Sequence, residues 1–120
     1  MVVDDSKAMR SILVRMLKSC GYDDVFEATN GVDAFRAIRD NGSPDVVLVD
    51  WNMPEMTGID FIRRVRGSGM LDEASVVMVT SETAIEKIAE ALESGADEYL
   101  MKPFTIEALL EKLELARSNH

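Results

Sequence analysis

A chain of 120 residues is the size of one domain and long enough to bury a proper core. Apolar residues make up 47% and charged residues 29%, the ordinary balance of a soluble globular protein. The formal net charge of −9 argues against nucleic acid, which wants a basic face, and against an anionic membrane surface.

The longest apolar runs are only a few residues, so the sequence holds neither a membrane span nor a secretory signal, and the expected compartment is the cytoplasm. The one cysteine, Cys20, cannot form an internal disulfide and falls on the apolar stripe of the first helix, as a buried, inert thiol. Nothing reads as a repeat, a low-complexity stretch or a linker, so residues 1–120 are expected to form a single domain.

Met1 to Val3 is a short apolar strand that leads into Asp4 and Asp5. Ser6 can cap a helix carrying Met9, Ile12, Leu13, Met16, Leu17 and Cys20 at helical spacing, and Gly21 ends it. Val25 to Ala28 is a second strand. Asn30 precedes a helix with Ala34, Phe35 and Ile38, closed by Gly42. Pro44 bars helix continuation, and Val46 to Val49 is the most apolar strand, leading into Asp50. Phe61, Ile62 and Val65 mark a third helix, and Val76 to Val79 a strand ending at Thr80. Ile85, Ile88, Ala89 and Leu92 form the stripe of a fourth helix ending at Gly95. Tyr99 to Met101 is the fifth strand, and Thr105 caps a last helix with Ile106, Leu109, Leu110 and Leu113.

Five βα units with near-continuous apolar strands imply a parallel sheet covered by helices on both faces. Right-handed crossovers then bring every strand's carboxyl end to one edge, where open α/β sheets bind ligands. Asp4, Asp5, Asp50, Thr80 and Lys102 all stand at strand ends and face that one crevice. Two carboxylates about 4 Å apart repel by roughly 4 kcal/mol at an effective dielectric of about 20. Three of them ask for a cation, and all-oxygen ligands suit Mg²⁺, with Mn²⁺ as a substitute, better than zinc or copper.

Singly, each residue has an ordinary explanation. Paired acids start turns, Asp50 precedes Pro54, Thr80 can cap a helix, and Lys102 can be a solvated charge. Jointly they make sense as a phosphoryl-accepting site. Asp50 is the candidate nucleophile, since carboxylates form acyl phosphates. Asp4 and Asp5, with Asp50, would hold Mg²⁺. Lys102 can make a charge-assisted contact to a phosphoryl oxygen, and the Thr80 hydroxyl can donate to another.

Four segments carry a family resemblance: Val2-Val3-Asp4-Asp5-Ser6, Val49-Asp50-Trp51-Asn52-Met53-Pro54, Met78-Val79-Thr80-Ser81-Glu82 and Met101-Lys102-Pro103-Phe104. On these the chain resembles, over essentially its whole length, the response-regulator receiver domains of two-component signalling. Trp51-Asn52-Met53-Pro54 is most similar to the stand-alone chemotaxis regulators of that family. The resemblance implies an α/β, flavodoxin-like (βα)5 doubly wound fold with strand order 2-1-3-4-5. It implies that Asp50 accepts a phosphoryl group from the phosphohistidine of a sensor histidine kinase or phosphotransfer protein. It further implies that Asp5, Asp50 and the backbone carbonyl of Asn52 ligate Mg²⁺, with Asp4 acting through water. The Lys102-Pro103 bond would be cis and would aim Lys102 at the site; Ser81 would leave the phosphoryl group accessible. Asn52 and Glu82 match positions that tune phosphoryl lifetime, here in a chemotaxis-like pairing that implies a short-lived phosphorylated state.

Thr80 and Tyr99 match the family's switch pair, and Ile85, Ile88, Tyr99, Met101 and Lys112 would form the partner face on the fourth helix, fifth strand and fifth helix. The implied partner is a protein, with the flagellar motor switch as one candidate, and the implied state a monomer or a weak dimer linked to phosphorylation. Such a protein is no enzyme beyond its own phosphoryl transfer and autodephosphorylation. Thr83-Ala84-Ile85 departs from the pattern in lacking the lysines that some chemotaxis regulators carry there, and the first strand is short, with three residues before Asp4. A second reading is a receiver module belonging to a larger regulator with a DNA-binding or enzymatic output. A remote one is a phosphatase of haloacid-dehalogenase type, which wants a second acid where Asn52 stands. A flavin-nucleotide site is weaker still, because Asp4 and Asp5 would repel a phosphate.

Overall fold

Short segments, three of them rich in valine, build the sheet, and one helix lies between each strand and the next. The structure, a computed structural model, describes residues 1–53, 55–71, 73–81 and 85–118, the side chain of Ile85 excepted. In chain order the elements are β1 (Val2–Val3), α1 (Lys7–Ser19), β2 (Glu27–Ala28), α2 (Gly31–Asn41), β3 (Val46–Asp50), α3 (Gly58–Ser68), β4 (Ser75–Thr80), α4 (Ile85–Glu93), β5 (Glu98–Met101) and α5 (Ile106–Arg117). The strands lie in the order β2-β1-β3-β4-β5, and every pairing is parallel. This is the flavodoxin-like order that the resemblance implies.

Side chains alternate across a strand, and here the alternation sorts the core into two halves. Val3, Val47, Val49, Val76 and Met78 pack with residues of α2, α3 and α4. Val2, Val46, Leu48, Val77, Val79 and Leu100 pack with residues of α1 and α5. The side chains of Ser6, Asn30, Thr57 and Thr105 accept the N–H groups of Met9, Asp33, Asp60 and Ala108, satisfying donors that a helix start otherwise leaves open.

The apolar stripes of three helices differ from the expected ones. In α4, Ala91 is buried and Ile88 half-buried, whereas Ala89 and Leu92 are exposed. In α5 the buried set is Leu109, Leu113 and Ala116, with Ile106 and Leu110 in solvent. In α1, Leu13 and Leu17 are buried and Ile12 is exposed. Each helix carries more apolar residues than one sheet contact covers, so packing selects a narrower stripe than the sequence offers. Cys20 ends the stripe as the C-cap of α1, packed against the same core as Leu13 and Leu17 but half-buried rather than buried, and desolvation raises its thiol pKa. The β2 strand is shorter than expected, although the Phe26 carbonyl just before it still accepts the Val2 N–H at 3.0 Å.

Two local devices fix the loops near the sheet's carboxyl edge and behind it. Arg66 on α3 donates to the carbonyls of Gly95 and Leu71 and pairs with Asp97 at 2.9 Å, while Asp97 also accepts the Val76 N–H at 2.7 Å. Gly58, the first residue of α3, donates to the Trp51 carbonyl at 3.0 Å and lies against the backbone of Asp50. A Cβ at Gly58 would overlap the Asp50 carbonyl oxygen. Gly58→Ala is therefore expected to destabilise the protein by about 1–3 kcal/mol, the usual cost of overpacking. Chemical denaturation of the two proteins measures this difference.

Candidate functional site

Each residue of the site is delivered by the end of a strand. Asp4 follows β1, with its N–H bonded to the Ala28 carbonyl at 3.1 Å. Asp50 is the last residue of β3, Thr80 the last of β4, and Lys102 the first after β5, its N–H bonded to the Thr80 carbonyl at 2.8 Å. The Lys102–Pro103 peptide is cis.

Asp4, Asp5 and Asp50 each turn one carboxylate oxygen into a common space, all within 4.8 Å of one another. Asp4 is 1% exposed and Asp50 8%, while Asp5 is open to solvent at the rim. Lys102 Nζ donates to Asp50 Oδ1 at 3.0 Å and stands 3.6 Å from Asp4 Oδ2. Asp4 Oδ1 accepts the Ser6 N–H at 2.8 Å, but buried Oδ2 has no hydrogen-bond partner among the described residues. One ammonium does not balance three carboxylates. A buried oxygen without a donor, beside two more anionic oxygens and an open rim, fits a hard cation with oxygen ligands.

The remaining predicted residues sort by position. Ser81 is exposed directly after Thr80, which is buried, and Asn52 is exposed directly after Trp51. Tyr99 pairs in register with Met78, and Thr80 with Met101, so strand alternation sets Thr80 and Tyr99 on the α2–α3–α4 side of the sheet. Tyr99 is half-buried, with Lys112 Nζ 4.4 Å from its ring centroid; Lys112 also pairs with Glu98 at 3.0 Å. Met101 is exposed and Ile88 half-buried. Glu82 lies outside the described residues, as does the side chain of Ile85.

Sequence reasoning missed three side chains beside the site. Arg10 donates to the Asp4 main-chain carbonyl at 2.9 Å and to Glu27 at 3.3 Å. Lys87 of α4 places Nζ 5.5 Å from the ring centroid of Trp51, the neighbour of Asp50. Arg10 falls one turn after the Ser6 cap, the one signal that could have placed it near the acids; nothing marks Glu27 or Lys87.

A parallel sheet with an acid trio and a lysine converging on its carboxyl edge defines the class as an α/β domain with an anionic, cation-ready site. The chain matches the model of the response regulator receiver domain over residues 1–114, and it belongs to that family. It is 42% identical over 115 residues to chemotaxis protein CheY1 of Helicobacter pylori, covering 96% of this chain and 93% of that protein. The structure of Vibrio cholerae chemotaxis protein CheY4 superposes with a TM-score of 0.85 at 36% identity, covering 94% of this chain and 92% of that one. A probable two-component response regulator/GGDEF domain protein superposes with a TM-score of 0.88 at 26% identity over 98% of this chain but 48% of its own. The chain is thus a receiver domain homologous to the CheY chemotaxis regulators. Among its described residues no helix is long and apolar enough to cross a membrane.

Burial holds the Asp50 carboxyl above its usual pKa; Asp4 and Asp5 push it further up, and the bond and charge of Lys102 pull it down. An acid whose pKa is raised on folding contributes its full stability below the unfolded value, about 3.9, and loses it as pH rises through the folded one. Without divalent metal, Asp50→Asn is therefore expected to melt higher than the wild type at neutral pH, the gap closing toward pH 4. Thermal unfolding in chelator across that range checks it, and a gap that widens on acidification would contradict the assignment.

Proposed function

We propose that this chain is a phosphorylatable signalling switch, with residues 1–120 acting as one receiver domain in the cytoplasm. Asp50 accepts a phosphoryl group from the phosphohistidine of a sensor kinase or phosphotransfer protein. An Asp50 carboxylate oxygen bonds to phosphorus as the P–N bond breaks, and the imidazole leaves with the bonding pair. Hydrolysis of the resulting acyl phosphate by water releases phosphate and restores Asp50. Catalysis ends there, on the protein's own side chain.

The observation that carries this reading is the pairing of Lys102 with Asp50 at 3.0 Å beside an acid trio that lacks a cation's worth of positive charge. Asp5, Asp50 and the Asn52 carbonyl would hold Mg²⁺, with Asp4 acting through water and Mn²⁺ able to substitute. Once bound, the metal neutralises charge on the phosphoryl oxygens. Lys102, already aimed at Asp50, contacts a phosphoryl oxygen by a charge-assisted bond worth about 1.5–3 kcal/mol. Exposed Ser81 leaves the entry open. Asn52 and Glu82 set how long the acyl phosphate survives.

Output follows from a two-state equilibrium. New anionic oxygens draw the Thr80 hydroxyl toward Asp50, and the space it leaves admits the Tyr99 ring. Their common side of the sheet and their adjacent register support this coupling. The face of α4, β5 and α5, bearing Ile85, Ile88, Tyr99, Met101 and Lys112, then changes its affinity for a protein target. Identities of 42% and 41% to chemotaxis relatives support the reading as a stand-alone chemotaxis-type regulator, with the motor switch as the natural candidate target. The receiver within the GGDEF-containing structure supports the second reading, a module of a larger regulator.

Incubation with a small acyl phosphate and Mg²⁺ should add the mass of one phosphoryl group to the wild type and none to Asp50→Ala. Incorporation that persists in the variant would move the acceptor elsewhere. Thr80→Ala should still accept the group, yet its Tyr99 ring resonances should fail to shift on phosphorylation. A shift equal to the wild type's would refute the proposed coupling.

A further inference from the structure

Arg10 stands outside the acid trio, yet it grips the loop that bears two of its members. Its Nη1 donates to the Asp4 main-chain carbonyl at 2.9 Å, and its Nε donates to Glu27 Oε1 at 3.3 Å. The Arg10 side chain is 13% exposed, so the bond to Asp4 is largely shielded from water. Asp4 is held at two further points, through its N–H to Ala28 and through Oδ1 to the Ser6 N–H. These three bonds come from β2, from the cap of α1 and from the body of α1. They consume every polar atom of Asp4 except Oδ2, which stands 3.6 Å from Lys102 Nζ. The gripped carbonyl also belongs to the Asp4–Asp5 peptide, whose plane sets the direction in which Asp5 leaves the strand.

We propose that Arg10 is a positioning residue of the metal site: oriented by Glu27, it fixes the Asp4–Asp5 peptide so that both carboxylates are set for Mg²⁺. This rests on the reading that the trio holds that metal. Charge alone makes the opposite prediction. A guanidinium beside three carboxylates repels a divalent cation, so deleting it would tighten binding. Groups that orient metal ligands typically contribute about 10–100-fold to affinity, enough to outweigh a partly screened charge.

Mg²⁺ titration followed by the fluorescence of Trp51, which adjoins Asp50, separates the two accounts in wild type, Arg10→Ala and Arg10→Lys. Positioning predicts that Arg10→Ala binds about 10–100-fold more weakly. Arg10→Lys, which keeps the charge but loses the two-pronged grip, should fall between them. The metal-free melting midpoints, recorded alongside, identify any variant that has lost its fold, and Arg10→Lys then carries the test. Arg10→Ala binding as tightly as wild type or more tightly, or Arg10→Lys binding like wild type, overturns the role of Arg10 alone. A wild-type signal flat through millimolar Mg²⁺ overturns the metal reading, and the role of Arg10 with it.

Discussion

Three carboxylates held at the ends of two adjacent strands repel one another, and the rest of the site is organised around that repulsion. The sheet imposes it: β1 and β3 are neighbours, so Asp4, Asp5 and Asp50 cannot separate without breaking the register of Val2 with Leu48 and Val3 with Val49. Burial sharpens it, because Asp4 and Asp50 have little water to screen them. Lys102 relieves part of it from the end of β5, and Arg10 meets the loop from behind through a main-chain carbonyl. Stability sacrificed at such a place is the usual mark of a functional site.

Strand alternation then puts the proposed switch pair on one side of the sheet. Thr80 and Tyr99 share one side of the sheet with Met78 and the helices α2, α3 and α4, while Val79 and Leu100 pack with α1 and α5. In the proposed switch, a change of charge at Asp50 would reach Tyr99 through Thr80, one strand away. Lys112 lies over the Tyr99 ring and is paired with Glu98, so Tyr99 sits under a cation at the edge of the sheet.

Much of this was legible in the residues. Apolar runs ending in acids located the strands and the crevice together, since a parallel sheet leaves its strand ends only one common edge. Ser6, Asn30 and Thr105 announced their helices through capping chemistry. The faces of the helices were less legible: α4 offers Ala89 and Leu92 as readily as Ala91, and only the sheet decides that Ala91 is the buried one. Arg10 escaped for a different reason. Its partners are a backbone carbonyl and a carboxylate 17 positions away, and neither leaves a periodic trace.

The central claim is that the trio's repulsion is relieved by a divalent cation bound among the three acids. A ligand that binds only the folded state stabilises it in proportion to the logarithm of its concentration above the dissociation constant. The melting midpoint of the wild type should therefore climb with Mg²⁺, and the climb should be lost in Asp5→Asn and in Asp50→Asn. A midpoint indifferent to Mg²⁺, or one that climbs equally in all three proteins, would contradict the account.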